Sequence, residues 1–233
     1  MRTSKIVVAC LAAVLLCTAL AAAQPTPALR GTVIDPPKAA ADFSLVDQRG
    51  QAFRLSSARG KAVVLSFIYT HCDDICPFVT LKLKEARELL GKDADKAVFV
   101  TVTTDPERDT PAVTASYSKA AGLYEHWHFL TGPLAEVKKV WAAYGVGVHA
   151  AKDAHKGDSV GMEGMEDDHS QGLSKADISL AKTMIAKFSG GYEVSHAAPF
   201  WIIDADGKLR AILNADAVPS DIVADVRALV PRK

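Results

Sequence analysis

Two cysteines, Cys72 and Cys76, are the residues whose type and spacing point most directly to chemistry. They lie in the segment YTHCDDICPF, residues 69–78, with three residues between them and a proline after the second. Thiols so placed can form a structural disulfide, act as a redox couple or bind a metal ion. On a regular helix their Cβ atoms would be about 5 to 6 Å apart, so a disulfide needs a bent backbone and the wide gap suits an ion.

The first 23 residues have the pattern of an export signal. A short basic start precedes an apolar run, and the small residues Ala21 and Ala23 suit cleavage directly after the second. Retention of the run as a membrane anchor, or lipid on one of its cysteines, are the alternatives. Cleavage leaves Cys72 and Cys76 as the only cysteines of a periplasmic or cell-envelope protein. In that oxidising compartment close thiols need a reductant or a metal.

The choice of metal follows from the two sulfurs. Thiolates are soft ligands and select Cu(I) among the available metals, with zinc and iron–sulfur clusters as the competing choices. Structural zinc takes four protein ligands, and the exported chain has no further cysteine. The sequence therefore favours copper, as Cu(I), Cu(II) or both, with a third ligand still to be found.

A third ligand must come from the histidines, of which the chain has seven. His196 precedes the run 199–203, which is predicted to be a strand beside the central one, so its loop faces the cysteine turn. His71 adjoins Cys72, but residues next to each other in sequence usually point apart. His196 is the candidate ligand, and a solvated surface position is the alternative for it.

Strand and helix patterns alternate along the chain after about residue 42. The alternating segment 42–55 predicts a hairpin turned near Gly50, and the apolar run 61–69 predicts a strand buried on both faces. A helical pattern begins at Pro77 and stops at Gly91. The later elements are a strand at AVFVTVTT, a helix begun by Pro111, a strand at HWHFLTG, a helix ended by Gly145, a hairpin at PFWIIDADGKLRAILN and a last helix opened by Ser220.

This order predicts an α/β, thioredoxin-like fold: a central mixed β-sheet flanked by helices, with an extra N-terminal β-hairpin. The domain spans 42–233, and the Pro- and Ala-rich stretch 24–41 is predicted to be a flexible lead-in. Cys72 falls just past the carboxyl end of a central strand, where open α/β sheets keep their sites. Pro77 as the first helical residue would place both cysteines in the turn before the helix, whose unpaired N–H groups favour thiolates.

Residues 147–191 do not fit this alternation and are predicted to be an insertion. Its second part, 174–188, has the spacing of an amphipathic helix. Its first part is rich in groups that suit copper, so it could recruit the ion loosely, with chance composition of a solvated loop as the alternative. The groups concerned are His149, His155, His169, Met162 and Met165.

Three motifs occur together and in one order: FIYTHCDDICP, TTDPERDTP and VSH. Their combination resembles the Sco/SenC family of copper-binding proteins, from about residue 42 to the last helix and without the insertion. The resemblance implies a thioredoxin fold with copper bound by Cys72, Cys76 and His196. It also implies a role in delivering copper to the binuclear copper centre of cytochrome c oxidase, or in preparing its thiols. Family members often have proline after the first cysteine, where this chain has Asp73 and Asp74.

The motif TTDPERDTP, 103–111, follows the second buried strand at the same edge of the sheet as Cys72. The resemblance suggests that Asp105 orders the site or meets a partner. Turn and helix capping is the alternative use of the motif's polar residues, and it is favoured for Asp109 and Thr110.

The charge balance and the cysteine pair leave few function classes. Lys plus Arg and Asp plus Glu both number 27, so no charge excess points to nucleic acid or a lipid surface. The first hypothesis is an exported copper chaperone, a binding protein without catalytic residues, whose partner is the copper-bearing oxidase subunit or another copper chaperone. Its N-terminus is a possible membrane attachment. The second is an extracytoplasmic thiol–disulfide oxidoreductase with Cys72 and Cys76 as redox pair and His196 transferring protons. Peroxide reduction and an inert disulfide rank below both.

Overall fold

A six-stranded mixed sheet forms the centre of the structure, a computed structural model that describes residues 28–151 and 169–230. In the order in which they lie side by side, its strands are β1 (Thr32–Ala39), β10 (Lys208–Leu213), β9 (Phe200–Ile203), β4 (Ala62–Ile68), β5 (Ala97–Thr103) and β6 (His128–Leu130). The predicted export signal lies outside the described residues.

The other elements surround this sheet. The helices of the described part are α1 (Ile75–Leu90), α2 (Pro111–Ala120), α3 (Leu134–Ala143), α4 (Lys175–Phe188) and α5 (Pro219–Leu229), with short 3-10 helices at Leu55–Ala58 and Gly91–Lys96. The described part also has two small two-stranded sheets. One is the hairpin of β2 (Ser44–Val46) and β3 (Ala52–Arg54), and the other pairs β7 (Val148–Ala151) with β8 (Glu193–His196). No helix in 28–151 or 169–230 is long and apolar enough to cross a membrane.

Strand β4 is the central element that carries the cysteine turn. All seven of its residues are buried, because it pairs with parallel β5 on one side and antiparallel β9 on the other and helices cover both faces. Val64 and Ile68 pack into the core on one face, and Leu65 and Phe67 pack into the core on the other, as the period of two requires. The predicted α/β fold, with its central mixed sheet and N-terminal hairpin, is confirmed.

Helix α1 begins two residues earlier than predicted. Ile75 is its first residue and Asp74 its N-cap, so Cys76 lies inside the first helical turn rather than before it. Pro77 at the third position is tolerated because the first N–H groups of a helix have no partner within it, and a proline lacks that group. Cys72 alone remains in the turn between β4 and the helix.

Part of the predicted flexible lead-in is a strand. β1 pairs antiparallel with β10 at the edge of the sheet, and its register shifts between Val33 and Lys38, around two prolines. The stretch shows no alternating apolar pattern because nearly all of its residues are exposed, and prolines are tolerated at such an edge. Ser220 is not the N-cap of the last helix, since α5 begins at Pro219 with Val218 as its cap.

The described parts of 147–191 are built into the fold. β7 and β8 pair antiparallel, with Val148 opposite His196 and His149 opposite Ser195. Helix α4, at the position where the sequence predicted a helix, packs on α1 through a small apolar cluster that includes Phe78 and Ala181. His155, Met162 and Met165 lie outside the described residues.

Candidate metal centre

The two cysteines lie close together at the N-terminal end of α1. Cys72 is 4% exposed and Cys76 is fully buried, and both are free thiols. Buried strand β4 fixes the position of Cys72 from one side, and the first turn of α1 fixes Cys76 from the other. This placement at the carboxyl end of a central strand agrees with the prediction from the element order.

The surroundings of the two sulfurs make them chemically unequal. The Cys76 thiol donates to the Cys72 sulfur, and this bond, helped by the backbone N–H groups of Asp74 and Cys76, lowers the pKa of Cys72 against the opposing effect of burial. Burial raises the pKa of Cys76 well above its usual value, and the hydrogen bond to Cys72 raises it further. Of the two sulfurs, Cys72 is therefore the one at which the surroundings favour the thiolate, and Cys76 the one at which they favour the thiol.

His196 reaches the cysteines from β8. Its Nε2 lies 3.6 Å from the Cys76 sulfur, and its Nδ1 lies 2.9 Å from the carbonyl oxygen of Ala197. Because a carbonyl only accepts, Nδ1 carries the proton and the Nε2 lone pair faces the sulfur. Burial lowers the pKa of His196, which favours the neutral imidazole.

The separation between the Cys76 sulfur and His196 is compatible with a shared metal ion. Bonds like those of zinc, about 2.3 Å to sulfur and about 2.0 Å to nitrogen, place two ligands about 3.5 to 3.7 Å apart at angles of about 110 to 120°. The observed 3.6 Å falls in this interval. Within 28–151 and 169–230, no three His, Cys, Asp or Glu side chains stand at metal-holding spacing, and Cys76 and His196 are the pair whose measured distance fits a shared ion.

The two aspartates between the cysteines differ in their environment. Asp73 is exposed, whereas burial raises the pKa of Asp74, and the charge of Asp74 acts to raise the pKa of both thiols. At Cys72 this effect is smaller than the hydrogen bonds that lower the pKa. His169 Nε2 lies 3.5 Å from Asp74 Oδ1, so one histidine of the predicted insertion stands beside the cysteine turn.

Among the described side chains, no other histidine forms a hydrogen bond with Cys72 or Cys76. His71 Nδ1 lies 2.8 Å from the Thr70 hydroxyl, and His128 lies 3.2 Å from Asp47. His149 is exposed and lies opposite Ser195 in the β7–β8 pair. Since His196 lies opposite Val148, His149 and His196 are on opposite faces of this small sheet. His126 is exposed in a turn.

The motif at 103–111 contributes contacts that its sequence did not predict. Thr110 caps α2 as expected, its hydroxyl accepting from Val113 N–H. Asp109 was predicted to serve a turn or cap, but it is fully buried and accepts hydrogen bonds from the hydroxyls of Thr70 and Thr103. This prediction was wrong because the partners come from two neighbouring strand ends, which sequence spacing does not show.

Sequence reasoning missed three further residues near the site. The Tyr69 hydroxyl accepts from Val194 N–H at 3.2 Å, and its ring meets His196 edge-on with centroids 5.8 Å apart. The guanidinium of Arg108 lies over the ring of Tyr192 at 3.8 Å. Tyr69 ends the apolar run beside Cys72 and could have been suspected for that reason, whereas Arg108 and Tyr192 lie far apart in sequence.

The chain is similar in sequence and in fold to proteins of one family. The SCO1/SenC family model matches residues 32–173. A SCO2-like protein of Rickettsia felis is 29% identical over 190 residues, which is 80% of this chain and 74% of that protein. Among solved structures, Bradyrhizobium japonicum ScoI with copper bound is 28% identical with a TM-score of 0.61, covering 82% of this chain and 99% of its own. Apo Sco1 from Thermus thermophilus is 27% identical with a TM-score of 0.62, covering 88% and 99%. The predicted thioredoxin-like fold is thereby confirmed.

Proposed function

The chain belongs to the SCO1/SenC family, and from this premise we propose that it is an exported copper chaperone of cytochrome c oxidase assembly. It holds one copper ion with Cys72, Cys76 and His196 and delivers the ion to the binuclear copper centre of the oxidase. The copper bound to the similar ScoI of Bradyrhizobium japonicum supports the choice of metal. The partner is the copper-bearing oxidase subunit or another copper chaperone.

One observation supports the three-ligand site above all others. The Nε2 lone pair of His196 faces the Cys76 sulfur at 3.6 Å, while Nδ1 is held by the Ala197 carbonyl. A neutral imidazole of fixed tautomer beside two thiols is the donor set that soft copper prefers. Two sulfurs and one nitrogen suit Cu(I), which accepts three ligands.

Copper is the cargo, and residues of the chain bind the ion and release it. Cys72, the sulfur whose pKa is lowered, binds the ion first; Cys76 loses its proton to solvent as the ion enters, and His196 completes the ligand set. Delivery proceeds by ligand exchange, in which thiol and imidazole groups of the partner replace these three donors one after another. No turnover chemistry is required of the chain, and it functions as a binding protein.

A second candidate function uses the same cysteines. The hydrogen bond from Cys76 lowers the Cys72 pKa and raises that of Cys76, an inequality that suits a dithiol that reduces a partner disulfide. The Cys72 thiolate attacks one sulfur of that disulfide and releases the other as a thiolate, which takes up the Cys76 proton. Cys76 then attacks Cys72, so the chain is oxidised to a disulfide and the partner is reduced by two electrons. A dithiol reductant of the exported compartment returns the chain to its reduced form.

Ligand substitution separates the two functions. We expect His196→Ala to weaken Cu(I) affinity by more than about a hundredfold, since even outer-shell changes cost about 10- to 100-fold. Cys72→Ser and Cys76→Ser should do the same. The measurement is competition for Cu(I) with a chelator under reducing conditions. His126→Ala, which removes an exposed histidine of a turn, is the matched control and should leave the affinity unchanged.

Two outcomes would contradict the chaperone. If His196→Ala keeps a one-to-one Cu(I) complex of full affinity, the three-ligand site is wrong. If the copper-free protein catalytically reduces a partner disulfide and His196→Ala retains that activity, the oxidoreductase function takes its place.

A further inference from the structure

The segment 105–109, here called the brace, lies between the two parts of the candidate ligand set. The cysteines belong to β4 and α1, whereas His196 belongs to β8, which is outside the main sheet. Among the strands of the described part, β8 pairs with β7 and not with β4, so no backbone ladder holds the two parts at their separation. Side chains of the brace contact both parts.

Asp109 connects the brace to the cysteine side. Its Oδ1 accepts from the Thr70 hydroxyl at 2.5 Å, and its carboxylate also faces the Thr70 backbone N–H at 3.2 and 3.3 Å. Its Oδ2 accepts from the Thr103 hydroxyl at 2.6 Å. Thr70 lies just after β4 and two residues before Cys72, and the Asp109 side chain is fully buried. These bonds therefore fix the backbone from which the cysteine turn starts.

Arg108 connects the brace to the histidine side. Its Nη1 donates to the carbonyl of Gly190 at 2.8 Å and its Nη2 donates to the carbonyl of Tyr192 at 2.8 Å. Its Nε donates to Asp105, whose other oxygen accepts from the Tyr192 hydroxyl at 2.7 Å. The planar guanidinium thus joins the brace to the loop that enters β8, a role that a lysine cannot fill because it lacks the fork.

The approach of the loop to Arg108 is close. Gly191 has a φ of 87°, and a Cβ at this position would lie 2.8 Å from Arg108 Nη1. A glycine is therefore required between the two carbonyls that Arg108 binds. Beyond it, Val194 N–H donates to the Tyr69 hydroxyl, and the Tyr69 ring lies against His196.

We propose that the brace sets the distance between the cysteine turn and His196, with Arg108 and Asp109 as positioning residues of the copper site. The inference rests on the proposed function, because it concerns the ligands named there. Arg108 acts through His196 and Asp109 acts through Cys72. Neither residue binds the ion.

The expected size of the effect follows from the narrow range of metal–ligand distances. Groups that orient ligands typically change metal affinity by about 10- to 100-fold when they are removed. We expect Arg108→Met to weaken Cu(I) affinity within this range. Arg108→Lys keeps the charge over the tyrosine rings but not the fork, and should give a smaller loss in the same direction.

A double-mutant cycle tests whether Arg108 acts through His196. Arg108→Met should lower Cu(I) affinity in the parent and leave it unchanged in His196→Ala, because the ligand it positions is then missing. Asp109→Asn should lower affinity in both backgrounds. The control is Arg227→Met, since Arg227 also donates to a main-chain carbonyl, that of Leu89, at the opposite end of α1. It should leave Cu(I) affinity unchanged.

A measurement on the copper-free protein separates this inference from the proposed function. Arg108→Met should shift the His196 imidazole nitrogen resonances and speed hydrogen exchange at the Val194 amide by about tenfold or more, while Arg227→Met changes neither. If the parent shows no His196-dependent copper binding, the proposed function fails and the copper-free measurement still decides on the brace.

Two results would overturn the brace. One is an Arg108→Met protein that is unchanged at His196 and Val194 and binds Cu(I) as the parent does. The other is an equal loss of affinity from Arg108→Met with and without His196, which would make Arg108 a contributor to general stability. Circular dichroism melts of each variant come first, and Arg108→Lys carries the test if Arg108→Met does not fold.

Discussion

Cys72 and Cys76 differ chemically although they belong to one short motif. The Cys76 thiol donates to the Cys72 sulfur, and two backbone N–H groups also support negative charge on Cys72. His196 Nε2 lies 3.6 Å from the Cys76 sulfur. The helix N-terminus and the Cys76 thiol therefore favour the thiolate at Cys72, which lies outside the helix. Spacing alone would have assigned the lower pKa to Cys76, the residue nearer the helix.

Because the two thiols differ, substitutions at Cys76 and at Asp74 should shift the Cys72 pKa in opposite directions. Cys76→Ala removes the donor that contributes most to lowering the Cys72 pKa, so that pKa should rise. Asp74→Asn removes a negative charge that raises it, so the pKa should fall. The pH dependence of thiolate ultraviolet absorbance measures both: the thiolate forms at higher pH in the first variant and at lower pH in the second.

Asp73→Asn is the control for this pair. It removes the same charge one residue away, from an exposed side chain, and should move the Cys72 pKa little. Shifts in the same direction for Cys76→Ala and Asp74→Asn would show that burial, rather than these two contacts, governs the thiol.

Residue type was sufficient to find the candidate ligands but not the groups that position them. Cys72, Cys76 and His196 carry rare chemistry and stand beside predicted elements, so sequence reasoning could name them. Arg108 and Asp109 look like ordinary loop residues, and the partners that connect them to the site, Thr70, Gly190 and Tyr192, are more than thirty residues away along the chain. Long-range hydrogen bonds of this kind leave no local pattern.

At the scale of elements, burial decided which predictions held. Strand β4 and helix α1 have strong apolar patterns and were predicted closely. β1 was missed because it is exposed and contains prolines, so neither periodicity nor composition indicated a strand. The start of α1 was placed two residues late because proline marks the first helical turn rather than one position in it.

Helix α4 offers a test of how the second part of 147–191 is held. Ser174 caps it by accepting from Asp177 N–H, and Asp177 pairs with Lys84 of α1 at 2.9 Å. Ser174→Ala should lower the free energy of unfolding by about 1 kcal/mol. Ser179→Ala, an exposed serine within the same helix, should leave stability unchanged or slightly higher because alanine favours helix. Urea unfolding measures both.

The pair of Asp177 and Lys84 also predicts a pH dependence. Burial acts to raise the Asp177 pKa, but hydrogen bonds from Ser174 and Lys84 outweigh it and lower the pKa. Stability from the ionised carboxylate is therefore present above the unfolded-state pKa and lost as pH falls through the folded-state pKa. Lys84→Met should cost stability at neutral pH, and the difference from the parent should shrink with acid. A difference independent of pH would contradict this contribution.

At the scale of the whole molecule, the described parts of 147–191, residues 147–151 and 169–191, are built into the fold. β7 supplies the pairing partner of β8, and α4 covers α1. Deleting the whole segment would therefore remove structure around His196. The informative change is narrower: replacement of 152–168 by a short Gly-Ser linker, which keeps β7 and His169.

We expect this replacement to leave the one-to-one Cu(I) stoichiometry and the melting temperature unchanged. β7 and β8 remain joined, and the candidate ligands lie outside the exchanged residues. Copper titration and thermal melts measure the outcome, with the parent chain as reference. Fewer bound ions or slower transfer to a copper acceptor would instead assign a copper-recruiting role to His155, Met162 and Met165.

Among the described strands β8 pairs with β7 and no other, so the three candidate ligands are supported in different ways. Moving Cys72 or Cys76 disturbs fully buried β4 and the first turn of α1. Moving His196 breaks no hydrogen bond of the six-stranded sheet, since its strand belongs to a peripheral ribbon. Two candidate donors thus depend on the backbone of the main sheet and the first helix, whereas the position of the third depends on side-chain contacts, so substitutions at those contacts can change the site while the main sheet stays intact.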